Sequence, residues 1–237
     1  MNYVLTLLLI GFAILFHEFG HFLAARLVKI PIQTFSIGFG PALWKRQIGQ
    51  TEYRIAWLPL GGYVLPAIED EQQFFTIPAY KRIVMTIGGP LASALLPVSC
   101  LAIMNTCNTG FSITGAIVEP FQKSWAAGAQ MLTALPQLFS TPGQLLGIVG
   151  IVVQGGNYVS GNFSKSLQFL AMMSMNLCII NLLPIPALDG GKILLYIGEK
   201  IHPRFVKIHI PLAIAGWLFI AGLTVYTVII DTVKLLA

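Results

Sequence analysis

Charge is the scarcest property of this 237-residue chain: Asp, Glu, Lys and Arg together make up 10% of it, and only nine residues are acidic. A soluble domain carries about 25% charged residues, so a free globular protein in water is excluded. Cysteine is also sparse. Cys100, Cys107 and Cys178 are odd in number and lack C-x-x-C spacing, so they read as small apolar core residues rather than a disulfide framework. No 20 to 50 residue repeat, low-complexity tract or basic domain separate from the apolar runs is present, which excludes solenoids and nucleic-acid binding.

What the chain has instead is apolar length. Hydrophobic residues are 56% of the sequence and mean hydropathy is +0.78. Four stretches are long enough to span a bilayer, at about 3–28, 83–104, 167–188 and 210–230. The expected fold is an all-α polytopic membrane protein of one domain, 1–237. The first span is not expected to be a removable signal peptide, because it has no basic flank before its core and His17, Glu18 and His21 interrupt it. Lys and Arg number seven from Arg26 to Arg82, two between spans two and three, four between spans three and four, and one at Lys234. The positive-inside rule then puts the first and third loops in the cytoplasm, with both termini outside a cell (inner) membrane.

Residues 17–21 read His-Glu-Phe-Gly-His. On a helix, His17 and His21 are one turn apart on one face and can share a metal, while Glu18 lies beside them to activate water. An ionisable group at mid-membrane costs roughly 2.5–3.5 kcal/mol on insertion scales, and coordination of Zn2+ gives a reason to tolerate it. The alternative is three polar residues satisfied by hydrogen bonds within the bundle.

A catalytic zinc takes three protein ligands and an open position, so a third donor is required. His202 and His209 lie toward the cytoplasmic face. Asp189 follows Asn181-Leu-Leu-Pro-Ile-Pro-Ala-Leu, where Pro184 and Pro186 break the helix and Gly190-Gly191 permit a tight turn. His21 is about 27 Å along a helix from Tyr3, and Asp189 is 22 residues from Leu167, so both fall in the cytoplasmic half. Asp189 either lines a polar cavity or binds the metal, or it caps the helix that begins at Gly190.

The HEFGH helix, the Asn181 to Gly191 segment and Thr86-Ile-Gly-Gly-Pro-Leu-Ala-Ser together resemble the site-2 protease family, and within it the bacterial regulator-of-sigma-E type. The resemblance implies intramembrane zinc proteolysis of transmembrane protein substrates in the lipid bilayer. His17, His21 and Asp189 would be ligands and Glu18 the general base, with Asn181, Pro184 and Pro186 shaping the site or contacting substrate. Larger members carry PDZ domains between spans two and three, whereas this loop of about sixty residues lacks room for a full one. Ser93 stands where the family often has Asn, and Lys192 where many members have His; neither receives a role.

Phe35 to Trp44 and Glu52 to Trp57 read as short strands around Ile48-Gly49-Gln50, followed by a Gly61-Gly62-Tyr63 turn. The hairpin either dips into the membrane boundary, as the family's β-loop does, and offers a free edge to an extended substrate, or stays a plain surface hairpin. In the middle loop, Ser124 to Leu138 and Gln144 to Val153 are expected to lie against the outer leaflet or re-enter it, or else to pack simply on the bundle. Two rivals to the protease share the metal motif, a zinc transporter and a metal-binding pseudoprotease scaffold. A transporter would need more spans, a second ligand-bearing helix and usually a His-rich loop.

Overall fold

The computed structural model describes residues 2–68, 71–140, 146–202 and 204–236. In chain order the elements are α1 (Asn2–Leu27), β1 (Ile32–Ile48), β2 (Thr51–Pro66), α2 (Glu71–Thr76), α3 (Ala79–Thr109), a π segment (Thr114–Val118), α4 (Glu119–Ser140), α5 (Ile148–Val159), α6 (Phe163–Asn181), α7 (Asp189–Ile201) and α8 (Arg204–Leu236). Among the described residues, α1, α3, α6 and α8 are long and apolar enough to cross a membrane. They match the four expected spans, with different ends. α3 and α8 run past theirs, and α6 stops at Asn181 rather than 188. Pro184 and Pro186 explain the early stop, since each lacks an N–H and disfavours helical backbone in the residue before it.

α1 is rich in Leu, Phe and Ala and contains no proline, so nothing interrupts its hydrogen-bond ladder before Leu27. There the chain reverses through a Schellman motif. Lys29 takes φ 59°, its N–H donates to the Arg26 carbonyl, and the Ile30 N–H donates to the Ala25 carbonyl. Ile30 and Ala25 then bury together with Phe22, Ile32 and Phe35, which ties the first strand to the end of the helix.

The crossing of α1 with α3 depends on having no side chains at its centre. A Cβ on Gly20 would sit 2.2 Å from the Gly88 carbonyl oxygen, and one on Gly88 would sit 2.4 Å from the Gly20 carbonyl oxygen. Small residues are the usual means of close helix approach in lipid, where there is no hydrophobic gain from helix contact. Ala13, Leu96, Cys100, Leu170 and Ala171 continue the core, adding α6 to the pair. Cys178 is also buried, but Cys107 is exposed on the last turns of α3, contrary to the expectation that all three cysteines are core residues.

The hairpin is longer than the sequence suggested. β1 and β2 pair across Gly49–Gln50, with Ile48 opposite Thr51 and Trp44 opposite Ile55, and Gly49 supplies the positive φ of 62° that a tight turn needs. Both strands bend and continue. Phe35 faces Val64 on one side and Tyr53 on the other, so the first half of β1 lies inside the sheet and Gly62 to Pro66 forms a rim. The Gly61-Gly62-Tyr63 segment is thus strand, not turn.

Of the middle-loop elements, α4 covers the first and α5 most of the second, with residues 144 and 145 outside the described set. α5 packs on the bundle: Gly155 abuts Phe169 and Thr6, and Gly156 abuts Tyr3.

Candidate metal centre

Three donors converge from two elements distant in sequence. His17 Nε2 lies 3.2 Å from Asp189 Oδ2, His21 Nε2 lies 3.2 Å from the same oxygen, and the two Nε2 atoms are 3.2 Å apart. Tetrahedral zinc with bonds of about 2.0–2.1 Å separates its ligands by about 3.3–3.4 Å. This triangle therefore has the size of one face of a zinc coordination shell. The residues fit the metal.

α3 holds both imidazoles from behind. His21 Nδ1 is 2.9 Å from the Met85 carbonyl oxygen and His17 Nδ1 is 2.9 Å from Ser93 Oγ. A carbonyl can only accept, so His21 carries its proton on Nδ1 and points the Nε2 lone pair at Asp189. The Gly89 N–H, 3.3 Å from the same Nδ1, cannot donate to a nitrogen that already bears hydrogen. Ser93 is itself held, because Ser174 Oγ donates to its carbonyl at 2.8 Å. Between Met85 and Ser93 sits Gly89, where a Cβ would lie 2.3 Å from His21 Nε2 and 2.7 Å from His17 Nε2.

Asp189 is the first residue of α7. The cap position is Leu188 and no side chain caps the helix, so the helix-cap alternative for Asp189 is not what this carboxylate does. Gly190 and Gly191 let the preceding loop close over the helix start: a Cβ on Gly190 would meet the Leu182 carbonyl oxygen at 2.2 Å, and one on Gly191 the Ile185 carbonyl oxygen at 2.1 Å. Ten residues on from Asp189, Glu199 pairs at 2.7 Å with Arg82 of α3, which is 1% exposed and stacks over Phe74, Phe75 and Tyr196. This buried cluster fixes α7 against α3. Burial also pushes the Tyr196 phenol up to about 12, keeping it protonated.

A cavity of about 730 Å³ opens on the donors. Glu18 and Asn181 line it beside His17, His21 and Asp189, with the Gly61 to Val64 rim of the sheet on one wall. Asn181 Nδ2 donates back to the Leu177 carbonyl at 3.0 Å. Pro186 lines an adjoining cavity instead, and Pro184 is exposed on the loop. His209 is buried against Phe75 and Tyr196. The sequence reading missed Gly89, Ser93 and the Met85 carbonyl. Their signal is a spacing: 85, 89 and 93 repeat every four residues on α3, as 17 and 21 do on α1, so one stripe faces the other.

A bundle of helices, four of them long and apolar enough to cross a membrane, with two histidines and a carboxylate around one point defines the class of metalloproteins built on an H-E-x-x-H helix. The chain belongs to Peptidase family M50, the site-2 protease family, whose model matches residues 5–223. Similar proteins include one from Chlamydia pneumoniae, 39% identical over 119 residues that cover 43% of this chain and 19% of that protein. Another, from Campylobacter jejuni, is 25% identical over 87% of this chain and 86% of its own length. A third, from Nostoc, is 24% identical over 99% of this chain and 97% of its own length. Each bears the name "putative zinc metalloprotease". The chain spans about a fifth of the Chlamydia relative's length. Zinc is the cofactor these names point to, and the His17, His21 and Asp189 triangle has the size to take it.

Proposed function

We propose that this protein is a zinc endopeptidase that hydrolyses peptide bonds in or near transmembrane segments of single-span substrates. His17, His21 and Asp189 hold the metal, and Glu18 is the general base. The observation that carries this reading is the convergence of those three donors in a cavity that Glu18 shares. When bound, zinc supplies a Lewis acid for water and for the scissile carbonyl. Glu18 accepts the proton from the attacking water and passes it to the leaving amine. Ser93 and the Met85 carbonyl keep each imidazole aimed through its Nε2.

A transmembrane helix hides its carbonyls in internal hydrogen bonds, so cleavage requires a locally extended segment. The Gly62 to Pro66 rim supports strand addition as the means, because this run lines the cavity and pairs with β1. Asn181 contacts such a segment in this reading, which its position in the cavity lining supports, while Pro184 and Pro186 act by shaping the loop that leads into Asp189. The charge pattern supports an inner-membrane protein with both termini outside and the site in the cytoplasmic half.

The test is Glu18→Gln in detergent-purified protein. Zinc content should stay at the wild-type level while cleavage of a reporter transmembrane peptide is lost. Full activity would remove Glu18 from the mechanism, and zinc flux into liposomes without peptide cleavage would favour a transporter.

A further inference from the structure

We propose that Lys192 is a positioning residue that holds Asp189 on the metal through one oxygen only. The proposal rests on the metallohydrolase reading above. Asp189 gives its two oxygens to different partners. Oδ2 lies 3.2 Å from both histidine Nε2 atoms, whereas Oδ1 lies 3.4 Å from Lys192 Nζ. Carboxylates bind metals through one oxygen or two, and a second bond from Asp189 beside the water would raise a four-coordinate site to five and crowd the position that a substrate carbonyl needs. An ammonium on Oδ1 opposes that swing.

Geometry makes Lys192 suited to this. Positions 189 and 192 are one helical turn apart at the start of α7, which stacks their side chains. The Asp189 side chain is 6% exposed and that of Lys192 44%, so the ammonium reaches the carboxylate from the open side of the cavity. Lys192 is the one lysine or arginine among the described residues lining that cavity. A charge-assisted bond is about twice as strong as a neutral one, so a neutral side chain at 192 would hold Oδ1 less firmly.

The experiment uses full-length protein stripped of metal and loaded with Co2+, whose visible absorption is intense in four-coordinate sites and distinctly weaker in five-coordinate ones. Wild type and Lys192→Arg should give the intense band. Lys192→Met should give a band several-fold weaker at the same Co2+ content and melting temperature, and its zinc form should show a lower kcat with KM little changed. An unchanged band in Lys192→Met overturns the proposal and leaves the ligand set standing. A wild-type protein that takes up no Co2+ overturns both.

Discussion

Substituting Gly89 by Ala adds one methyl group where the two imidazoles meet. That carbon would sit 2.3 Å from His21 Nε2 and 2.7 Å from His17 Nε2, against an ordinary contact of at least 3.4 Å. The donors would have to withdraw by about 1.1 Å and 0.7 Å, whereas metal sites tolerate about 0.2 Å. Moving α3 back does not help, since it separates the imidazoles from Met85 and Ser93, and loss of such supports costs about 10–100-fold in metal affinity or activity. Zinc affinity should fall by at least about 100-fold, or roughly 2.8 kcal/mol. Metal content of dialysed protein across a series of buffered zinc concentrations measures this. Gly222→Ala on α8, where nothing lies within 4 Å of the added carbon, is the control. Alanine is favoured over glycine in helices by about 0.8–1.0 kcal/mol, so without a clash Gly89→Ala would bind zinc normally and melt no lower. That result would refute the placement of Gly89 under the donors.

Asp189→Asn should lower both zinc content and peptide cleavage, and unchanged zinc in that variant would mean the third ligand is another residue. Ser93→Ala removes the partner of His17 Nδ1 and should reduce zinc affinity or activity by about 10–100-fold without changing the melting temperature much. Arg82→Ala leaves Glu199 and three aromatic rings without their buried partner. It should cost about 3–5 kcal/mol of stability, read as a lowered melting temperature in detergent.

The pairing of His17 with His21 was legible in the sequence because a helix converts spacing into direction: positions 17 and 21 can only share a face. Asp189 stood out as an acidic residue beside backbone that Pro184 and Pro186 break, but the residues alone left cavity lining, metal binding and helix capping open, and only the family resemblance joined it to His17 and His21. The length of the hairpin was not legible. Gly61-Gly62 looks like the end of a strand and here lies within β2, while Gly38 and Gly40, each with φ of 90°, sit inside β1 where its register shifts. Local chemistry announces a bend but not whether pairing resumes beyond it. Cys107 was misplaced for a related reason. Apolar sequence in a membrane protein does not separate the face turned to lipid from the face turned to protein.

The role of α3 was hidden for a deeper reason. Its contribution to the site is a carbonyl, a hydroxyl and an absent side chain, none of which belongs to a metal-binding motif. The same helix must also approach α1 closely enough at Gly20 and Gly88 for backbones to touch. Two turns of α3, from Met85 to Ser93, therefore meet two demands at once: small residues toward α1 for packing, and hydrogen-bond partners placed four residues to either side of a gap for the imidazoles. α7 is held from the other end by the Arg82 and Glu199 pair, so the carboxylate and the histidines are referred to one common helix. α8, by contrast, has only 6% of its apolar window buried and contributes no donor. Rigidity is concentrated where a few tenths of an ångström decide whether a metal can bind.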